Sequence, residues 1–344
     1  MSAVAHALKK VVERHDLTAA EMEAVMDELM EGKATDAQIG ALLTALRMKG
    51  ESLEEILGAA KVMRSKALRI SPRRAQGEYI LDIVGTGGDL AGTFNVSTTA
   101  AFVVAGAGIK VAKHGNRSVS SRSGSADLLE ALGVRLDVDP ATVERCIDEI
   151  GLGFLFAPSL HPAMRNVIGP RREMGIRTIF NMLGPLTNPA SAELELMGIY
   201  DGKLCATMAM VLGRLGARQA WVVHGYGGLD EISISGPTMV AYWNGTYVET
   251  FEITPQDFGL EEAPLSEISG GSPSENAHIA LEVLKGRPGP KRDMVVVNAA
   301  GAIFLAGKAK DLIEAASIAQ EAIDSGRASE VLEGLVALTN DSVS

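Results

Sequence analysis

Along the first seventy residues, apolar positions recur with a helical period, and no run reads as a strand. Thr18-Ala19-Ala20-Glu21 has the form of a capping box, in which a hydroxyl and a carboxylate three residues apart satisfy each other's backbone amides. Behind it Met22, Val25, Met26, Leu29 and Met30 follow at helical spacing. Thr35-Asp36-Ala37-Gln38 repeats the device before Ile39, Leu42, Leu43 and Leu46, and Ser52-Leu53-Glu54-Glu55 repeats it again. Gly32 and Gly50 stand where helix C-termini are expected. The pattern predicts three short helices, while Met1 to Lys10 reads only as a weakly amphipathic start. Three short helices cannot cover their apolar faces alone. This stretch is expected to pack on another helical segment or on a second copy of the chain.

The period changes after the turn-rich, charged Ser71-Pro72-Arg73-Arg74. Tyr79 to Val84 predicts a buried strand that runs into Gly85-Thr86-Gly87-Gly88-Asp89. A helix is expected through about Gly106, a strand over Ile109 to Ala112, a helix over Ala126 to Leu132 and a strand over Val134 to Val138. Asp139-Pro140 is a cap with proline at the first helical position, opening a helix to Ile150. Phe154 to Phe156, Ala220 to Val223 and Met294 to Val297 read as further strands. Tyr242 to Phe251, with Asn244-Gly245 at its middle, predicts a β-hairpin. Strands alternating with helices indicate an α/β domain with a mostly parallel sheet. Pro162 to Leu183 interrupts that alternation with helical stretches. The expected organisation is a helical domain over 1–72, joined by about 162–190, and an α/β catalytic domain over 73–344.

The length of 344 residues agrees with two domains. Hydrophobic residues at 47% and charged residues at 22% describe a globular chain. Aromatics at 4% argue against a base-stacking surface, and a net charge of -11 repels nucleic acid and anionic membranes. The same field repels small anions, so any phosphate site must be built from local donors. Cys146 and Cys205 lie far apart in the sequence and are expected to be reduced, buried thiols. The N-terminus does not read as a signal peptide, and the apolar run Thr99 to Ile109 is too short to span a bilayer. A cytoplasmic protein is expected, with neither nucleic acid nor membrane as partner.

Candidate chemistry gathers where predicted strands end. Gly85-Thr86-Gly87-Gly88-Asp89 follows a strand, where α/β sheets place ligands. Leu90 excludes a dinucleotide fingerprint, and no Lys-Ser/Thr pair follows to make a Walker A loop. Asn95-Val96-Ser97-Thr98-Thr99 stands at a helix N-terminus, either as caps or as an anion site. The stretch Lys113-His114-Gly115-Asn116-Arg117 through Ser125 concentrates three fixed cations, a histidine and five serines, which calls for an anionic ligand in so acidic a chain. Asp230-Glu231 follows the glycine-rich His224 to Gly228 and suits Mg²⁺, which takes few carboxylates beside phosphate oxygens and water. His224 itself reads as a structural loop histidine. Arg171-Arg172 and Arg177 form a second basic spot, either a solvated helix face or a carboxylate-recognising one.

As an ordered set, these motifs resemble the anthranilate phosphoribosyltransferase family. The matching residues are Asp82 to Asp89, Asn95-Val96-Ser97-Thr98, Lys113 to Arg117, Ser123-Gly124-Ser125-Ala126-Asp127, Arg171 to Pro189, and Gly228-Leu229-Asp230-Glu231. The resemblance implies a small helical domain and a larger α/β domain of the nucleoside phosphorylase/phosphoribosyltransferase type, paired as a homodimer through the helical domain. It implies magnesium-dependent transfer of phosphoribose from phosphoribosyl diphosphate (PRPP) to the amino group of anthranilate, in tryptophan biosynthesis. By motif match, Gly85, Thr86, Gly87, Gly88, Asp89, Thr93, Asn95, Ser97, Thr98, Lys113 and Ser125 would hold PRPP. Ser97, Asp230 and Glu231 would serve magnesium. Gly85, His114, Asn116 and Arg171 would meet anthranilate, and Lys113 and His114 would act electrostatically, with no certain catalytic acid or base. A pyrimidine-nucleoside phosphorylase and a non-catalytic nucleic-acid-binding relative are the rival readings.

Overall fold

The computed structural model describes residues 2–88, 92–118 and 122–341. It divides into two compact units, one of residues 1–68 and 158–189, the other of 69–157 and 190–344.

The first unit opens with four helices, Ala3–Val12, Ala19–Met30, Asp36–Lys49 and Leu53–Lys66. Thr18, Thr35 and Ser52 each form a complete capping box. The helix at Ala3 reads in the sequence only as a weakly amphipathic start. Ser2 is its N-cap, with Oγ accepting from Ala5 N at 3.3 Å. Glu28, on the next helix, accepts from Ala3 N at 2.7 Å and from Val4 N at 3.1 Å. Ala5 stands where a capping box has Glu or Gln, so the local signature is only half present. The unit also holds a charge cluster around one buried carboxylate. Glu55 is wholly buried and accepts from Leu17 N at 2.9 Å, Ser52 N at 2.7 Å and Lys49 Nζ at 2.9 Å. Lys49 Nζ also donates to Asp16 at 2.6 Å and to Gly50 O at 2.7 Å. From the returning segment, the helix Arg165–Met174 contributes Asn166, whose Nδ2 donates to Met30 O at 2.6 Å and closes the end of a first-segment helix.

The second unit is built on a seven-stranded sheet: β1 Leu81–Gly85, β2 Val111–Gly115, β3 Leu152–Phe156, β4 Leu194–Gly198, β5 Gln219–Gly225, β6 Thr238–Trp243 and β7 Val248–Ile253. The order is β3-β2-β1-β4-β5-β6-β7. The first five strands run parallel, and β6 and β7 form the expected antiparallel hairpin. Buried helices carry the core, chiefly Val96–Gly106 and Pro290–Leu305.

Two strand expectations fail, and one strand was not expected. Met294 to Val297 lies inside the helix Pro290–Leu305, where all four residues are fully buried. An apolar run covered on every side carries no period to separate strand from helix. Val134 to Val138 belongs to no strand of the sheet. The central strand β4 was missed, because Glu195 interrupts its apolar run, although that residue is wholly buried. Cys146 and Cys205 are both buried and unbonded, as expected. Among the described residues, no helix is long and apolar enough to cross a membrane.

Candidate active site

β1, β2, β4 and β5 all end in glycine, at Gly85, Gly115, Gly198 and Gly225. The strand order reverses direction between β1 and β4, the switch point at whose strand ends α/β sheets bind their ligands. Gly85 and Gly198 are register partners at that point. Asp230 sits over both of them. A Cβ at Gly85 would run into the Asp230 carboxylate, and one at Gly198 into its backbone carbonyl. The acid is thus seated by what the two strands lack.

Its carboxylate ties the glycine turn down: Gly87 N donates to Asp230 Oδ2 at 2.6 Å. Thr86 N donates to Gly198 O at 3.0 Å, and Thr86 Oγ1 accepts from Tyr200 N at 3.3 Å. Gly87 and Gly88 both have positive φ, 69° and 75°. Asp89 lies outside the described residues. Glu231 accepts from Ser97 N at 3.0 Å, in the first turn of the helix Val96–Gly106. The turn after β1, the helix N-terminus and the acidic pair therefore form one hydrogen-bonded assembly.

Lys113 and His114 belong to β2 itself, not to a loop after it. Lys113 is only 3% exposed. Among the described residues its hydrogen-bond partners are neutral: Ile83 O at 2.7 Å and Ser97 Oγ at 3.4 Å. Burial lowers its pKa, and the charges of Asp82, Glu231 and Asp230 oppose that shift. Asp82 is wholly buried and accepts from His114 N at 3.2 Å, fixing the end of β2 to β1. Thr98 is also buried, and it lines a small pocket together with Lys113, Phe102 and Phe154.

The stretch after β2 is less free than its composition implies. Arg117 Nη1 donates to Asp127 at 3.1 Å and to Glu130 at 2.9 Å. These ion pairs raise its pKa and take one of the three cations counted in the sequence. Asp127 also accepts from Ser118 N at 3.0 Å and Gly124 N at 2.9 Å, closing the loop. Asn116 and Ser125 meet there: Asn116 N donates to Ser125 Oγ, and Ser125 Oγ to Asn116 O, each at 3.2 Å.

Asn95 makes no side-chain cap for its helix. Its Nδ2 donates to Ser123 O at 3.1 Å, and its Oδ1 accepts from Ser123 Oγ at 3.1 Å and from Asn276 Nδ2 at 2.9 Å. Thr93 bridges to Ser269 in a short antiparallel contact. Gly85, Thr86, Gly87, Gly88, Thr93, Asn95, Ser97, Thr98, Lys113, His114, Asn116, Ser125, Asp230 and Glu231 all belong to the α/β unit. Arg171 belongs to the helical unit, where it is half-buried with its guanidinium 4.8 Å from the centre of the Phe180 ring. Burial lowers its pKa. Among the described residues, no three or more His, Cys, Asp or Glu side chains group as a metal cage.

Residues 77–329 match the glycosyl transferase family a/b domain, and residues 5–67 its helical bundle domain. The chain is 54% identical over 346 aligned residues to the anthranilate phosphoribosyltransferase of Geobacter sulfurreducens, covering 97% of this chain and 99% of that protein. The chain belongs to the anthranilate phosphoribosyltransferase family. The enzyme of that name from Thermus thermophilus superposes with a TM-score of 0.91 at 44% identity, over 99% of this chain and 100% of that one. The one from Saccharomyces cerevisiae, solved in complex with PRPP and Mg, gives 0.89 at 33% identity, over 98% of each chain.

Family motifs led directly to the glycine turn, Lys113 and the acidic pair. They included Asp82 without giving it a role, and they did not lead to Gly198 or Asn276. Asp82 had a signal, a carboxylate within a buried strand. Asn276 had one too, as an amide on the apolar stripe of Ala277, Ala280, Val283 and Leu284. Gly198 had none, since its strand was not recognised.

Proposed function

We infer that this chain catalyses its family's reaction, moving the 5-phosphoribosyl group of PRPP onto the amino group of anthranilate and releasing diphosphate. The observation that supports this best is Lys113. A buried ammonium hydrogen-bonded to neutral groups, beside a helix N-terminus and a glycine turn, is a site made for an anion.

The C1–O bond to diphosphate breaks, and its electron pair leaves with the diphosphate. The nitrogen lone pair of anthranilate forms the new N–C1 bond, and one N–H proton passes to water. An aromatic amine is neutral at pH 7 and already nucleophilic, so no strong base is needed. Lys113, beside the glycine turn Gly85 to Gly88, stabilises the departing charge. Asn95, Thr93, Ser97, Thr98 and Ser125 hold the phosphoribosyl group. By motif match, Arg171 is assigned to the anthranilate carboxylate, and Asn116, His114 and Gly85 are assigned to contacts with anthranilate. Orientation of the amine toward C1 supplies much of the remaining acceleration, about 7–11 kcal/mol in well-aligned systems.

Magnesium fits the oxygen donors of Asp230, Glu231 and Ser97. Two carboxylates and a hydroxyl leave its other positions to substrate oxygens and water, the arrangement Mg²⁺ favours. When bound it neutralises charge on the diphosphate. We further assign a homodimer through the helical domain and a cytoplasmic location.

The test mixes protein, PRPP, Mg²⁺ and anthranilate and follows loss of anthranilate fluorescence. A time-dependent loss that needs all four components is expected. No loss, with a known relative active in parallel, overturns the assignment.

A further inference from the structure

Asn276 lies in the first turn of the helix Pro273–Leu284 and is 2% exposed. Its two amide atoms have separate duties. Oδ1 accepts from Gly271 N at 2.7 Å, and Nδ2 donates to Asn95 Oδ1 at 2.9 Å. The Gly271 amide can only donate, so it fixes which end of the Asn276 carboxamide points where.

That choice passes on to Asn95. A carboxamide has two acceptor and two donor positions. Asn95 Oδ1 receives Asn276 Nδ2 and Ser123 Oγ, which fills both acceptor positions. Its Nδ2 gives one hydrogen to Ser123 O. What remains on this half-buried side chain is one N–H donor, the group an anionic or ribose oxygen accepts. Rotated half a turn, the same carboxamide would present an acceptor to an anion.

The surrounding contacts reinforce the arrangement. Gly270 N donates to Gly92 O at 2.8 Å, and Thr93 bridges to Ser269, so the segment carrying Asn276 is laid directly against the one carrying Asn95. Further along the same helix, Ala277 and Ala280 pack on Leu128, three residues after Ser125. One helix thus backs both the Asn95 and the Ser125 sides of the site.

We propose that Asn276 is a positioning residue for the phosphoribosyl substrate, acting through Asn95 by setting which edge of that carboxamide faces the ligand. The proposal rests on the reading above, in which Asn95 contacts PRPP. Asn276 itself touches no substrate.

The test is a double-mutant cycle with Asn276→Asp and Asn95→Ala. Aspartate keeps an acceptor for Gly271 N and loses the donor to Asn95, and it matches the native side chain in size. Any direct repulsion between the new carboxylate and the substrate is present in both Asn95 backgrounds and cancels in the cycle. We expect the KM for PRPP to rise about tenfold in the Asn276→Asp single variant, the scale of one hydrogen bond to a charged group, with the KM for anthranilate within about twofold. In the Asn95→Ala background the same substitution should change the PRPP KM by less than about threefold. Asn276→Leu, which adds no charge, should repeat the pattern. Equal penalties in both backgrounds, or equal rises in both KM values, would overturn the proposal. An inactive wild-type protein would instead refute the functional reading on which it stands.

Discussion

The molecule buries two lysines and treats them in opposite ways. Lys49, in the helical unit, has a side chain 5% exposed and lies between the carboxylates of Asp16 and Glu55 with the Gly50 carbonyl as a third partner. Burial lowers its pKa, but the paired carboxylates outweigh this and raise it. Lys113, in the α/β unit, rests on a carbonyl and a hydroxyl, and burial lowers its pKa. Each of the three donors on Lys49 meets an acceptor, two of them anionic. Among the described residues, Lys113 donates to no anion. A buried cation whose partners are already complete is part of the fold, whereas one hydrogen-bonded only to neutral groups marks where a ligand belongs.

The largest expected effect tests the second half of that contrast. Lys113→Met should lower kcat/KM roughly a thousandfold, about 4 kcal/mol of transition-state stabilisation, and leave the melting temperature within a few degrees of wild type. A stability loss on the scale of the activity loss would make Lys113 a structural residue like Lys49.

Next comes the mirror experiment. Lys49→Met leaves the buried Glu55 without its cation and should cost about 3 kcal/mol in urea unfolding. Below the unfolding transition, kcat/KM should stay within about twofold of wild type. A large kinetic defect in folded protein would break the comparison.

A smaller and pH-dependent effect concerns a third buried group of the helical unit. Burial pushes the His161 pKa from the ordinary 6.5 down to about 4. The unfolded chain therefore binds the proton first. Stability is complete above about pH 6.5 and is lost as pH falls toward 4, by up to about 3 kcal/mol below that point. His161→Gln should flatten the fall in stability between those two pH values. An unchanged slope in denaturant titrations across that window would assign the acid sensitivity elsewhere.

Much of this was legible in the sequence, for reasons that differ by region. Capping boxes are local, so Thr18, Thr35 and Ser52 announced three helices correctly. The helix after Ser2 was fainter, because Ala5 stands where a capping box has Glu or Gln and the distant Glu28 supplies further acceptors. The turn after β1 was visible because its glycines are adjacent. The other half of that seat, Gly198, was hidden in a strand whose buried Glu195 disguised it. Charge counting misled at Arg117, whose partners Asp127 and Glu130 lie on the following helix. Asn276 is separated from Asn95 by 181 positions in the sequence, and only the folded chain shows that one amide orients the other.

The seat of Asp230 has a consequence for how this protein can vary. Gly85 and Gly198 offer no side chain to any reaction, yet each is closed to every other amino acid by the carboxylate and carbonyl above it. A homologous chain that gained even a methyl group at one of them would have to move the acid, and with it the Gly87 amide that the acid holds. Substitution at the acid can be compensated by another oxygen ligand, but missing space cannot be replaced from elsewhere. Drift in this lineage should therefore be slowest at two positions that carry no side chain at all.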